Sequence, residues 1–286
     1  MKTIDNGALA FYEAGAEYNR LRTGIGRIEF ARTKEILIKT LPEPPAVIYD
    51  IGGAYGEYAW WLSSLGYEVH LFDLSERNIA MSEMLSGEYP EYSLAASEVA
   101  DARSVPRDDS SADAVLLMGP IYHLTDKEDR IKALRESFRL LKPGGKIYTA
   151  ALTPFSVLLH NITIYEPFVE GGRRRLEEDR FLKMVERELT DGCHINPENK
   201  NYAGIASAHF HTASKLKEEL AEGGFSASRV HGIMGGAWLV PNLDDVWEDE
   251  TTREALMNTV RLIDEHEEII GLSGHLLAVS EKCVDT

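Results

Sequence analysis

Five short apolar runs between residues 46 and 152, most of them separated by stretches of helical character, constrain this chain more than any other feature. The first, 46–51, reads AVIYDI and is entered from Pro42, Pro44 and Pro45; the others lie at 67–72, 92–99, 112–118 and 146–152. Helical patterns fill 57–65, the stretch from a capping Ser75 to about 86, and the stretch from Thr125 to Leu141. The last places Ile131, Leu134, Phe138 and Leu141 on one face, and Lys142-Pro143-Gly144-Gly145 ends it. Strands separated by helices cannot pair as hairpins. They form right-handed crossovers, and hence a parallel sheet covered on both faces.

Beyond residue 152 the alternation breaks. Residues 154–208 are too long for a crossover and hold a charged helix near 173–189, as a lid or substrate-binding insertion would. Regularity returns with a helix from Thr212 to about 222, a strand over 225–234, an amphipathic helix within 241–270 (Leu256, Val260, Ile263 and Ile270 inward) and a last strand over 275–280.

Charge narrows the partners. Among 286 residues, 30 Lys+Arg stand against 47 Asp+Glu, a net −17 that repels nucleic acid and anionic lipid. The Arg173-Arg174-Arg175 run is followed by Glu177, Glu178 and Asp179, which reads as a mixed-charge face. Cys193 and Cys283 make no disulfide framework or CxxC motif. Cys193-His194 and His209-x-His211 match no zinc spacing, so no metal is expected. The first residues carry no apolar signal-peptide core and no stretch is long enough to span a bilayer, so a cytoplasmic, reduced protein is expected.

The chemistry concentrates where the first strand meets the next helix, at Asp50-Ile51-Gly52-Gly53-Ala54-Tyr55-Gly56. Glycines there admit a ligand close to the backbone, and the helix start behind them offers unpaired N–H groups. Asp73, ending the second strand with Leu74 after it, is placed to accept the hydroxyls of a ribose. The dehydrogenase fingerprint G-x-G-x-x-G fails, because Ile51 stands at its first glycine; an acid two residues before Gly52 stands instead.

These residues resemble the class I S-adenosylmethionine-dependent methyltransferases of the bacterial small-molecule type. Asp50, Gly52, Gly53 and Gly56 match the family's acid and glycine-rich turn, with Ala54 where a middle glycine often stands. Glu98-Val99-Ala100-Asp101-Ala102 is similar to its adenine-binding segment, and Leu140-Leu141-Lys142-Pro143-Gly144-Gly145 to its turn before the fifth strand. The resemblance implies an α/β fold with a doubly wound seven-stranded sheet, order 3-2-1-4-5-7-6, its last strand antiparallel. An N-terminal helical cap (1–45) would precede the Rossmann-like domain (46–286), with lids at about 154–208 and 236–272. It implies an S-adenosylmethionine (SAM) cofactor, S-adenosylhomocysteine (SAH) as product, and a small-molecule acceptor methylated on O, N or C by a monomer or homodimer.

The resemblance also assigns roles. Met118 and Gly119, ending the fourth strand, would line the cofactor by backbone. Tyr122 and His123 would face the cleft, His123 as general base, as an orienting group, or as a structural histidine of the loop. Tyr18, in a Tyr12–Asn19 stretch similar to the opening of small-molecule methyltransferases, would cover the methionine end, unless it only packs an amphipathic helix. Trp238 and Trp247 are candidates for an apolar substrate pocket or for the core. No Asn-Pro-Pro-Tyr run follows the fourth strand, which argues against amino-methylation of nucleic-acid bases. A SAM-binding protein without catalysis, or a nicotinamide dehydrogenase, remain the alternatives.

Overall fold

The computed structural model describes residues 19–198, 204–205 and 207–283; Tyr18 lies outside them. The five runs are strands β1 (Val47–Ile51), β2 (Glu68–Asp73), β3 (Ala96–Val99), β4 (Ala112–Leu117) and β5 (Leu141–Leu152). A two-residue pair, β6 (Cys193–His194) and β7 (Ala208–His209), stands apart in its own small ladder. β8 (Ser226–Gly232) and β9 (His275–Glu281) complete the main sheet. Its order is β3-β2-β1-β4-β5-β9-β8, parallel except for β9, which runs antiparallel to both neighbours. β8 and β9 are its sixth and seventh strands in sequence, so the expected order holds.

Alternation along β1 divides the core. Ile48 faces one side with Leu71, Leu116 and Tyr148, against Ile28 and Leu37 of helix α1 (Gly26–Thr40). Tyr49 and Ile51 face the other with Phe72, Val115, Leu117 and Ile147. There they meet Leu134 of α5 (Lys127–Leu140) and Leu216 and Leu220 of α8 (Ala213–Glu222). The two-residue period puts Asp50 on the side of Ile48, beneath α1. The remaining helices are α2 (Glu57–Ser64), α3 (Glu76–Leu85), the one-turn α4 (Pro120–His123), α6 (Ser156–Thr163), α7 (Asp179–Asp191), α9 (Leu243–Glu248) and α10 (Glu250–Ile263).

Several boundaries differ from expectation for local reasons. α5 is capped by Asp126, whose carboxylate accepts the Glu128 N–H at 2.8 Å, and Thr125 stays outside. The third strand is only four residues long: the Tyr92 N–H turns back to the Tyr89 carbonyl, and paired residues begin at Ala96. The fifth begins at Leu141 and then bulges, since Ala112 pairs with Leu141 but Ala114 pairs with Lys146. Lys282 ties the bulge down: its backbone bonds Gly144 and Gly145, and its ammonium reaches the carbonyls of Phe138 and Leu141 at 2.8 and 2.7 Å. The amphipathic stretch after 241 is two helices, divided at Asp249, which caps the second. Met257 and Val260 are its buried residues, while Leu256 and Ile263 are half-buried.

The N-terminal helix is bound to the far end of the chain. Arg32 of α1 is buried against Asp264, Arg261 bonds Glu35, Arg27 meets Glu248 at 2.7 Å, and the Gly24 N–H donates to Asp244 at 3.2 Å. Among the described residues no helix is long and apolar enough to cross a membrane.

Candidate functional site

A cleft opens at the C-terminal ends of the parallel strands, where a doubly wound sheet receives its ligand. Asp50, Gly52, Gly53, Ala54, Asp73, Leu74, Asp101, Ala102, Met118, Gly119, Tyr122 and His123 all line it. Gly56 does not; it stands behind the turn at φ +88°, as the residue before α2.

The turn is fixed by close approaches. Gly52 has φ +72°, and a Cβ there would lie 2.5 Å from the Pro120 ring. A Cβ on Gly53 would meet the Asp50 carboxylate at 2.5 Å. Ala54 holds a left-handed φ of +52°, and its N–H donates to Asp73 Oδ2 at 2.9 Å. Gly52→Ala therefore strains the backbone and drives Pro120 away from the turn. SAH affinity, read by calorimetry, is expected to fall at least about tenfold, with a lower melting temperature.

Asp73 is buried and already organises its surroundings. Besides Ala54 it accepts the Ser75 N–H at 2.9 Å and the Asn78 amide at 3.0 Å. Asp50 differs, being only 1% exposed, and its buried Oδ2 has no hydrogen-bond partner among the described residues. Burial, reinforced by the charge of Asp73, pushes its carboxyl up to about 7. A buried acid with one unpartnered oxygen beside a glycine cradle suits a cationic ligand group. Asp101 is engaged by Arg103, which reaches it at 2.6 to 3.2 Å. Burial alone would raise the Asp101 carboxyl; the Arg103 contacts hold it below the usual range.

Tyr122 and His123 sit on α4, their rings 4.5 Å apart. Burial and the nearby Arg20 guanidinium push the His123 imidazole down to about 3. It is neutral near pH 7, and too weak a base to hold a proton there. The end of α4 is fixed from behind by Arg130, which is 2% exposed. Its guanidinium donates to the carbonyls of Leu124 and Thr125, both at 2.9 Å, and bidentately to Glu219 of α8 at 2.8 and 2.7 Å.

The sequence offered no pointer to the wall formed by Arg20, Glu29, Thr33 and Tyr58. Arg20 grips Glu29 with two bonds of 2.7 and 3.1 Å. Tyr55, inside the glycine-rich turn and therefore findable, accepts the Asn19 N–H at 2.9 Å. A second cavity adjoins the cleft and shares Arg20, Glu29 and Tyr122 with it. Trp238 lines this cavity, whereas Trp247 packs against the core.

The histidines near the lid are drawn together only in part. His209, His211 and Glu219 offer ligand atoms within 4.8 Å of one another. Both Glu219 oxygens are held by Arg130, and His211 Nε2 lies 3.1 Å from Oε2, so a cation would have to displace a guanidinium. His194 turns instead to Glu188 at 2.6 Å.

The reversed last strand, the acid and glycine turn, and the acid ending β2 together define the class I SAM-dependent methyltransferase architecture. Residues 49–149 match the methyltransferase domain family, and the sheet around that segment has the fold of the class I SAM-dependent methyltransferases. A ubiquinone/menaquinone biosynthesis C-methyltransferase of Acidiphilium cryptum is 28% identical over 177 residues, covering 60% of this chain and 68% of that protein. A probable tRNA methyltransferase 9B of mouse is 41% identical over 91 residues, but the match spans only 32% of this chain and 17% of that protein. Among solved structures, a SAM-dependent methyltransferase from Methanosarcina mazei superposes with a TM-score of 0.56 at 20% identity, over 87% of this chain and 98% of that one.

Proposed function

We propose that the protein transfers a methyl group from SAM to O, N or C of a small molecule. The observation that carries this reading is Asp50, whose buried Oδ2 lies against the glycine turn with no hydrogen-bond partner among the described residues. It fits the cofactor's methionine ammonium, directly or through water, while Asp73 retains acceptor capacity for the ribose diol. Asp101 and the backbone at Ala102 would receive the adenine, with Leu74, Met118 and Gly119 closing the walls. The cofactor, when bound, supplies an electrophilic methyl on a sulfonium.

What the chain adds is placement and exclusion of water. His123, neutral and fixed beside Tyr122, serves to orient the acceptor by a hydrogen bond; near neutrality an acceptor proton would have to leave by another route. His123→Asn, which keeps a hydrogen-bonding side chain, is expected to retain several-fold more turnover than His123→Ala. SAH affinity should be the same in both, and kcat should show no inflection near pH 6.5 that His123→Asn removes. Such an inflection would restore the general-base role.

The deciding experiment is methyl transfer from labelled SAM into a metabolite extract. SAH binding without any labelled product would favour a binding protein without catalysis, and NAD binding would favour a dehydrogenase. The net charge of −17 supports a small acceptor over tRNA, despite the short tRNA-methyltransferase match. Tyr18 as a cover for the methionine end, the domain limits at 45 and 46, and a cytoplasmic monomer or homodimer belong to the same proposal.

A further inference from the structure

The second cavity lies between α1, α6 and the segment that follows β8. Its walls are mostly apolar: Leu152, Val157, Phe210, Met234 and Trp238. Among the described residues its carboxylate and guanidinium are Glu29 and Arg20, which neutralise each other through two hydrogen bonds, and the His275 ring stands 3.7 Å from the same Glu29 carboxylate. His160 also faces it, and burial next to Arg175 and Arg173 keeps that imidazole below its ordinary value, hence neutral at pH 7. A charged guest would have to leave water without a counter-ion, or break the Arg20–Glu29 fork to obtain one; either is costly in an apolar cavity. A neutral guest gains from the apolar walls without disturbing the pair.

We propose that this cavity receives the methyl acceptor, and that the acceptor is an uncharged molecule with an apolar body, presented to the cofactor cleft past Arg20, Glu29 and Tyr122. The proposal rests on the reading of the first cleft as the SAM site. It goes beyond that reading by naming the chemistry of the second ligand and the cavity that selects it.

Three probes with one apolar body separate the possibilities: para-propylphenol, para-propylbenzoate and para-propylbenzylammonium, titrated calorimetrically at pH 7 into protein saturated with SAH. The phenol is expected to bind, and the two ions to bind at least about tenfold more weakly. Ser156 and His160, one turn apart on α6, both line the cavity and neither lines the cofactor cleft. Ser156→Phe and His160→Phe should each weaken the phenol about tenfold or more while SAH affinity stays unchanged. The second variant guards against a folding failure of the first. Binding of either ion as tight as that of the phenol overturns the proposal, as does displacement of the phenol by a short RNA hairpin. It also fails if phenol affinity is unchanged in both folded variants. If SAH itself does not bind, the cofactor reading falls and this one with it; SAH binding without phenol binding sinks this one alone.

Discussion

Asp50→Asn is expected to raise the stability of the ligand-free protein at pH 8 while weakening SAM and SAH binding by two orders of magnitude or more. Both effects come from one buried carboxyl held at about 7. The folded state keeps a proton on Asp50 between about pH 4 and 7, where an unfolded aspartate has lost it. The folded form therefore binds more protons in that window, and stability falls as pH rises through it. Above pH 7 the full penalty is present, up to about 4 kcal/mol for a carboxyl displaced that far. A neutral asparagine removes it, less what its own amide loses for want of partners. Thermal melts at pH 5 and pH 8 provide the check: the variant should gain at pH 8 and not at pH 5. A ligand ammonium favours the ionised form, so cofactor binding near pH 7 should release a proton, and affinity should decline below it. Calorimetry in buffers of different ionisation enthalpy reads that proton directly. Tight SAH binding by Asp50→Asn would remove Asp50 from the site.

The second large effect is structural. Arg130→Met leaves Glu219 buried without its guanidinium and strips two carbonyls, at Leu124 and Thr125, of their donor. Breaking a buried pair from one side costs about 3–5 kcal/mol, whereas replacing both partners by apolar residues is often nearly neutral. Denaturant unfolding should show that loss in Arg130→Met and its recovery, in large part, in Arg130→Met/Glu219→Met. If the double variant is no more stable than the single one, the pair is not what Arg130 contributes. Burial would raise the Glu219 carboxyl, but Arg130 and His211 bring it down to about 2. The stability it contributes is present above pH 4 and is lost as pH falls toward 2.

The parts of the site legible in the sequence share one property: they are local. Asp50, the glycines and Asp73 lie at strand ends that alternation identifies, and their chemistry follows from that position. Tyr122 and His123 were equally visible, because they follow a strand that must end beside the cleft. The behaviour of these groups was not legible. An unperturbed histidine is a reasonable base near neutrality, but His123 is desolvated by neighbours that a linear reading cannot assemble. Arg20, Glu29 and Thr33 belong to no motif and meet the cleft only through the packing of α1 and the turn before it, while Tyr58 lies on α2 behind the glycine turn and shows its place only once α1 covers it. His275 borders the second cavity for the same kind of reason, since β9 inserts between β5 and the edge strand β8. Conversely, the glycines of 142–145 look in sequence like a stop between helix and strand; the ladder continues through them as a bulge because Lys282 arrives to hold it.

The ties between α1 and the end of the chain bear on how the molecule is made. Arg32 finds Asp264 across 232 positions, and Gly24 finds Asp244 across 220. Glu29, in the wall shared by the cleft and the second cavity, stands 3.7 Å from His275. During synthesis, β1 to β4 and their helices can assemble as soon as they are available, since sequential elements pair first. The wall over Asp50 cannot be completed then, because its anchors have not yet been translated. A nascent chain halted before residue 240 would carry the glycine turn and the acid ending β2 and still lack a closed cleft. Competence to hold the cofactor is in this sense a property that the last residues confer on the first.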